Sequence, residues 1–318
     1  MREPRSTLIL VATLLPVLAI ASGCGKLKPQ DTTGAAGSTG TGGAAGAEPT
    51  GAAGSNGTVQ VSISGTAAPH PLNKALLMED EDFSMLKVAI VDPAAVLLNP
   101  DATPLGSMAL DTSAANCDPS TGCKWTLAGV DITNLTLGLV GTLEDTRTGA
   151  ARVWVKTGTG MGTAADLAAV RAAPMPIVDR RAFAVSRKLE AALGQFVGQV
   201  LKITLAPGDL EARGFLIGHV VGKLSEGPMP AGVAGAMVSA TGNFDVIYPN
   251  ATFSGAGTTT AASGIFLMVP RPTDAGAFGP VVTMWDVVPP TNDTRTWASH
   301  LAGSNPSNAF VIIMPANE

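Results

Sequence analysis

Across residues 58–65 apolar and polar side chains alternate one for one, with Val59, Val61 and Ile63 sharing one parity. A period of two puts those three on one face of an extended chain, so the pattern predicts a half-buried strand and marks the start of folded structure. Further strands are expected over 86–91, 125–127, 135–140 and 151–155. Turn-forming Asn99, Pro100 and Asp101, then Asp118, Pro119 and Ser120, then Asp145 and Thr146, separate them. After Gly162 the pattern changes, and 164–173 reads as a short helix with Thr163 as cap and Pro174 as stop. A second helix of about four turns is expected with Asp179 as its N-cap, because Val185, Leu189, Leu193 and Phe196 recur every three or four residues. Gly194 or Gly198 would end it. One-sided, it must lie against a sheet. Strands resume over 201–205, 215–221, 236–240, 264–269, 281–288 and 309–314. The expected fold class is mainly β: one β-sandwich body over 58–157, a connecting helical segment over 158–199 and a second β-sandwich body over 200–318.

Composition supports that class. With 37 Gly, 23 Pro and 4% aromatics, the chain suits many short strands joined by turns. Charged residues are 14% of the whole, against roughly 25% in an average soluble protein, so Ser, Thr, Asn, Gly and Ala must form much of the surface. The net charge of −5 and the lack of a basic run after the start argue against nucleic acid as a partner.

The beginning of the chain fixes where the rest is expected to live. Arg2 and Arg5 precede an apolar run over 8–20, and Ala21, Ser22 and Gly23 are the small residues a signal peptidase needs before its cut. The run is too short to span a bilayer. Followed directly by cysteine, it resembles the lipobox of bacterial lipoproteins, with Ala21 where that family usually has leucine. The resemblance implies a signal peptide over 1–23, acylation of Cys24 and attachment to the membrane through that lipid. Lys26, rather than aspartate, stands two residues on, which points to the outer membrane. Within 32–57 only Glu48, Pro49 and Asn56 are not Gly, Ala, Ser or Thr. Such a composition cannot repay its ordering entropy, so 24–57 reads as a flexible tether. The coil dimension of 32–57 is roughly 28 Å. Cys117 and Cys123, the remaining cysteines, are an even pair in an exported protein with turn-forming residues between them, and a disulfide is expected.

Three later stretches carry a second resemblance: 218–223 with Gly218, His219 and Gly222; 227–238 with Gly227, Pro228, Gly232, Gly235 and Ala236; and 258–266 with Thr258, Thr259, Thr260, Gly264 and Phe266. Together they resemble carboxypeptidase regulatory-like domains, which are transthyretin-like β-sandwiches. That implies a module that binds, spaces or stiffens and carries no catalytic residues. Residues 112–127 are a candidate degenerate repeat of the same module.

Chemistry-bearing constellations are sparse. Gly158, Gly160 and Gly162 lie between a strand and a helix, but a dinucleotide-binding turn would need glycine where Thr163 stands, so the segment reads as a flexible connection. Residues 218–223 fail as a phosphate loop because Leu224 replaces the magnesium-binding hydroxyl. His70, His219 and His300 are far apart in sequence and are expected to lie apart, with His219 a structural residue of an apolar strand. Glu79, Glu81, Asp80 and Asp82 lack the spacing of a calcium loop and read as a solvated acidic loop. Trp285 and Trp297 are candidates for a carbohydrate face, against the plainer role of core or rim. No G-x-S-x-G is present. The expectation is a non-enzymatic, lipid-anchored envelope protein with no cofactor, metal or catalytic residue, whose partners are other envelope proteins or polysaccharide. A carbohydrate- or calcium-dependent adhesion module and an envelope hydrolase with an unrecognised site stay open as alternatives.

Overall fold

Strands covered on both faces need apolar side chains at nearly every position, whereas strands with one wet face alternate. Phe215–Lys223, Ile265–Pro270 and Ala309–Ala316 are runs of the first kind, and they lie side by side at the centre of the fold. The computed structural model describes residues 57–77, 82–99, 101–118, 121–224 and 230–317. The expected signal peptide, Cys24 and the tether up to residue 56 lie outside them, as do 79–81 of the acidic run and 227–229 of the expected hairpin.

In chain order the strands are β1 Gln60–Pro69, β2 Leu86–Val91, β3 Gly106–Ala109, β4 Cys117–Asp118, β5 Gly122–Asp131, β6 Leu139–Asp145, β7 Trp154–Val155, β8 Thr157–Gly162 and β9 Ile177–Ser186. They continue with β10 Phe215–Lys223, β11 Met237–Ser239, β12 Phe244–Pro249, β13 Ala256–Gly257, β14 Ile265–Pro270, β15 Val281–Val288, β16 His300–Ser304 and β17 Ala309–Ala316. Helices are α1 Pro93–Leu98, α2 Ala164–Ala172, α3 Arg187–Leu201 and α4 Asp209–Arg213. The protein is mainly β, as its composition implies.

Three sheets form. The largest has nine strands in the order β13-β12-β14-β10-β17-β8-β6-β2-β3, so strands from both halves of the sequence share it. The join is β17, which runs parallel to β10 on one side and to β8 on the other. A five-stranded sheet, β4-β5-β1-β9-β7, covers one face of the β6-β2 end. Ile63, Trp125 and Leu127 meet Val88, Ile90 and Leu143 there in one apolar layer, a sheet-on-sheet packing. At the other end α3 lies on one face, with Leu189, Leu193 and Val197 against Ile217, Leu267 and Val311. A three-stranded sheet, β11-β15-β16, lies on the opposite face, with Trp285 and Ala302 against Leu216, Phe266 and Met314.

Several local expectations change. The stripe of Leu189, Leu193 and Phe196 is helical, but the helix starts at Arg187 and is capped by Ser186, whose hydroxyl accepts the Leu189 N–H at 3.0 Å. Asp179 and Val185 belong to β9, so the segment 158–199 contributes two strands as well as two helices. Neither Gly194 nor Gly198 stops α3. It runs to Leu201 and closes on Lys202 in the left-handed region, which carries 203–205 away without strand pairing. Residues 258–260 form no strand either: Thr260 is buried, and its hydroxyl donates to the Val233 carbonyl at 2.6 Å. Helix α2 matches its expectation, with a reciprocal cap between Thr163 and Asp166. Gly264 has φ +68 and a carbonyl 2.1 Å from where a Cβ would sit, and the turn it makes leads into fully buried Phe266.

Candidate functional site

Residues 157–162 read Thr-Gly-Thr-Gly-Met-Gly, and in a strand that alternation sorts the two classes onto opposite faces. The large side chains face inward. Thr159 accepts the Phe183 N–H at 3.0 Å, Thr157 accepts the Val185 N–H at 3.3 Å, and Met161 joins the core under β6. On the outward face the Phe310 ring of β17 lies over Gly158, while Gly160 is bare. What reads in sequence as a flexible connection is therefore a central strand of the nine-stranded sheet, held between β17 and β6.

That outward face is the floor of a cleft. The ladder sets Gly158 beside Thr142 and Ala89, and Gly160 beside Val140 and Val91. On the other side Gly158 pairs with Phe310 of β17. Pro93 and Val96 of α1 form one wall and Val282 and Leu301 of the three-stranded sheet form the other, around about 150 Å³. A Cβ added at Gly160 would meet nothing within 4 Å. Glu144 and Lys156 stand at a charged rim, where Glu144 is already paired with Lys87 at 3.8 Å.

The turn after β16 brings Ser304 and Asn305 to the same cleft, 6% and 7% exposed. Asn305 Nδ2 donates to the Val96 carbonyl at 3.2 Å, tying the turn to α1. Ser304 Oγ and Asn305 Oδ1 have no hydrogen-bond partner among the described residues. Buried polar atoms left unpaired cost about 1–3 kcal/mol each, so two in adjacent residues that line one cleft are a chemical signal. Sequence reasoning missed both residues, because neither sits in a motif.

The histidines also depart from expectation. His70, just past β1, and His219, on β10, are fully buried together, with their Nε2 atoms 2.8 Å apart despite a separation of 149 residues. His70 Nδ1 accepts the Leu72 N–H at 3.3 Å, so its own proton sits on Nε2 and is donated to His219. His219 then carries its proton on Nδ1. Burial, and for His70 also the neighbouring His219, holds His70 well below the ordinary imidazole value, and burial lowers His219 to about 4. Two imidazoles sharing a tetrahedral zinc at the usual bond lengths would stand about 3.3 Å apart, so this pair has the spacing of a direct hydrogen bond. Among the described residues no cluster of three His, Cys, Asp or Glu forms a potential metal cage.

Other residues singled out from sequence have structural partners. Asp82 accepts from Ser84 and pairs with Arg147 at 3.3 Å. Trp285 is fully buried between Phe244 and Phe266 and is not available to line a glycan face. Trp297 is half-buried, donates to the Val221 carbonyl at 3.3 Å and carries the Arg295 guanidinium over its ring. Glu190 is buried on α3, and its carboxylate accepts three backbone N–H groups, from Gly208, Leu210 and Glu211, fastening α4. Desolvation pushes its proton affinity up while those bonds oppose the shift. The structure joins Cys117 and Cys123, which sit opposite each other across β4 and β5. Among the described residues no helix is long and apolar enough to cross a membrane.

No family model matches the chain, and no curated protein does. Among solved structures it is similar to the shaft pilin SpaA from Lactobacillus rhamnosus GG, at 9% identity over 81% of this chain and 98% of that one, with a TM-score of 0.20. The minor pilin GBS52 from Streptococcus agalactiae aligns at 9% identity over 80% and 95%, with a TM-score of 0.23. The Bacillus anthracis TIE protein aligns at 9% over 82% and 35%, with a TM-score of 0.20. Scores this low carry no argument about this chain.

Proposed function

We propose that this is a lipid-anchored cell-envelope protein of the outer membrane with a binding and spacing role and no catalysis. Cys24 carries the lipid, 24–57 holds the body off the membrane, and the β body engages small molecules, other envelope proteins or polysaccharide. The observation that carries this reading is the Cys117–Cys123 disulfide, because such bridges persist in compartments beyond the inner membrane, where the leader would send the chain. The resemblance of 218–266 to carboxypeptidase regulatory-like domains fits the same role, and the buried position of Trp285 weakens the carbohydrate alternative. The test is metabolic labelling with a fatty acid in cells expressing the full chain or its Cys24→Ala variant. Label on the full chain alone, recovered with outer membrane, supports the proposal; equal labelling and equal membrane recovery of both would overturn it.

A further inference from the structure

We propose that the glycine-floored cleft binds a small uncharged molecule with a ring-sized apolar body and a hydroxyl or amide N–H. This deepens the binding role above and rests on it for where the ligand is met. Size comes from the volume: about 150 Å³ is the scale at which an apolar protein cavity admits a single benzene ring. The apolar body follows from Val91, Val140, Leu301 and Phe310 around the space.

The floor is open at Gly160. Gly160 has neither a positive φ nor any neighbour that would exclude a side chain, so the backbone makes no demand for glycine there. Glycine inside a strand weakens it and leaves nothing to pack, and it suits a place where something else approaches the backbone closely.

The donor follows from the polar end. A carbonyl only accepts, so the bond from Asn305 Nδ2 to the Val96 carbonyl fixes the amide with Oδ1 as a free acceptor. That atom calls for an N–H or O–H. Ser304 Oγ, on the preceding residue, can donate or accept. Lack of charge follows from the walls, where Val91, Val140, Leu301 and Phe310 offer an ion no replacement for its water, and from the rim, where Glu144 is already paired with Lys87.

The test is calorimetric titration of the full chain, purified in detergent, with benzyl alcohol, toluene and benzoate. Benzyl alcohol is expected to bind about tenfold more tightly than toluene, the worth of one well-made hydrogen bond at a buried acceptor. Gly160→Leu should weaken benzyl alcohol at least tenfold. Gly279→Leu, at a glycine outside the cleft that is equally free of neighbours, should leave it unchanged. Ser304→Ala should narrow the alcohol-to-toluene ratio. Urea midpoints of all three variants verify that each is folded. Equal binding of alcohol and toluene, a preference for benzoate, indifference to Gly160→Leu, or no binding by any probe would each overturn the proposal. A failed Cys24 labelling experiment leaves this titration standing, and a blank titration leaves the anchoring result standing.

Discussion

The two ends of the nine-stranded sheet are built to opposite rules. At the β14-β10 end every residue of Ile265–Pro270 is buried, because α3 covers one face and the three-stranded sheet the other. At the β8-β6 end the five-stranded sheet covers one face only, and the other is left open at Gly160, although Phe310 fills the space over Gly158 much as Phe266 fills that over Gly218. Gly218 on β10 and Gly160 on β8 make the contrast local. A Cβ at Gly218 would lie 2.0 Å from Phe266 Cζ, so that glycine is filled from the opposing strand, while a Cβ at Gly160 would meet nothing. One glycine serves packing and the other leaves room. The same residue type in the same sheet thus carries opposite meanings, decided by what covers it.

The covered end should be the more fragile to truncation. Phe266→Ala removes a fully buried ring that lies 5.3 Å from the Trp285 ring, centroid to centroid, and should cost about 3–5 kcal/mol by urea denaturation. Leu301→Ala in the cleft wall, where the side chain is 39% exposed, should cost less than about 1 kcal/mol. Equal losses would break the contrast.

Next in size is a pH effect from the histidine pair beneath the covered end. Both rings are neutral in the folded protein, while in the unfolded chain they take up protons near about pH 6.5. Between there and about pH 4 the unfolded state binds more protons, so stability is full above the window and falls as pH falls through it. For His219 the loss is on the order of 3 kcal/mol. The double variant His70→Leu/His219→Leu should flatten most of this slope in denaturation curves from pH 7 to pH 4, leaving the part due to half-buried His300 and the opposing part due to Glu190. An unchanged slope would show that the pair does not titrate as its burial requires.

The smallest of the three belongs to the five-stranded sheet. The Cys117–Cys123 bridge closes a separation of only six residues, so Cys117→Ala/Cys123→Ala should lower stability by about 2 kcal/mol without loss of fold. Loss of folding altogether would mean that the tip of β4 and β5 organises the sandwich rather than pinning its edge.

How much was legible follows the same division. The apolar runs of β10, β14 and β17 were readable because strands buried twice over announce themselves by composition. Helix α2 was readable from its cap and its proline. Strand β8 was not, since a strand with two threonines, one methionine and three glycines has no apolar signal, and its period of two lies in size rather than polarity. Strand β9 was mistaken for the start of α3 because Asp179 looks like a cap. In the structure that residue sits at φ +58 within the strand, and Ser186 caps instead. The histidine pair and the Ser304–Asn305 turn were invisible for a different reason. Each depends on tertiary packing, of the residue after β1 against β10 and of the β16 turn against α1, and no local spacing encodes either.

The claim that one end of the sheet is packed and the other is left open is tested most directly by the same substitution at both glycines. Gly218→Val and Gly160→Val should be compared by urea denaturation of the full chain. The account predicts a loss of about 1–3 kcal/mol or more at 218, where the added carbons collide with Phe266. At 160 it predicts no loss, or a gain of about 0.5–1 kcal/mol, because valine suits a strand better than glycine does and the space is free. A loss at 160 as large as the loss at 218 would contradict it.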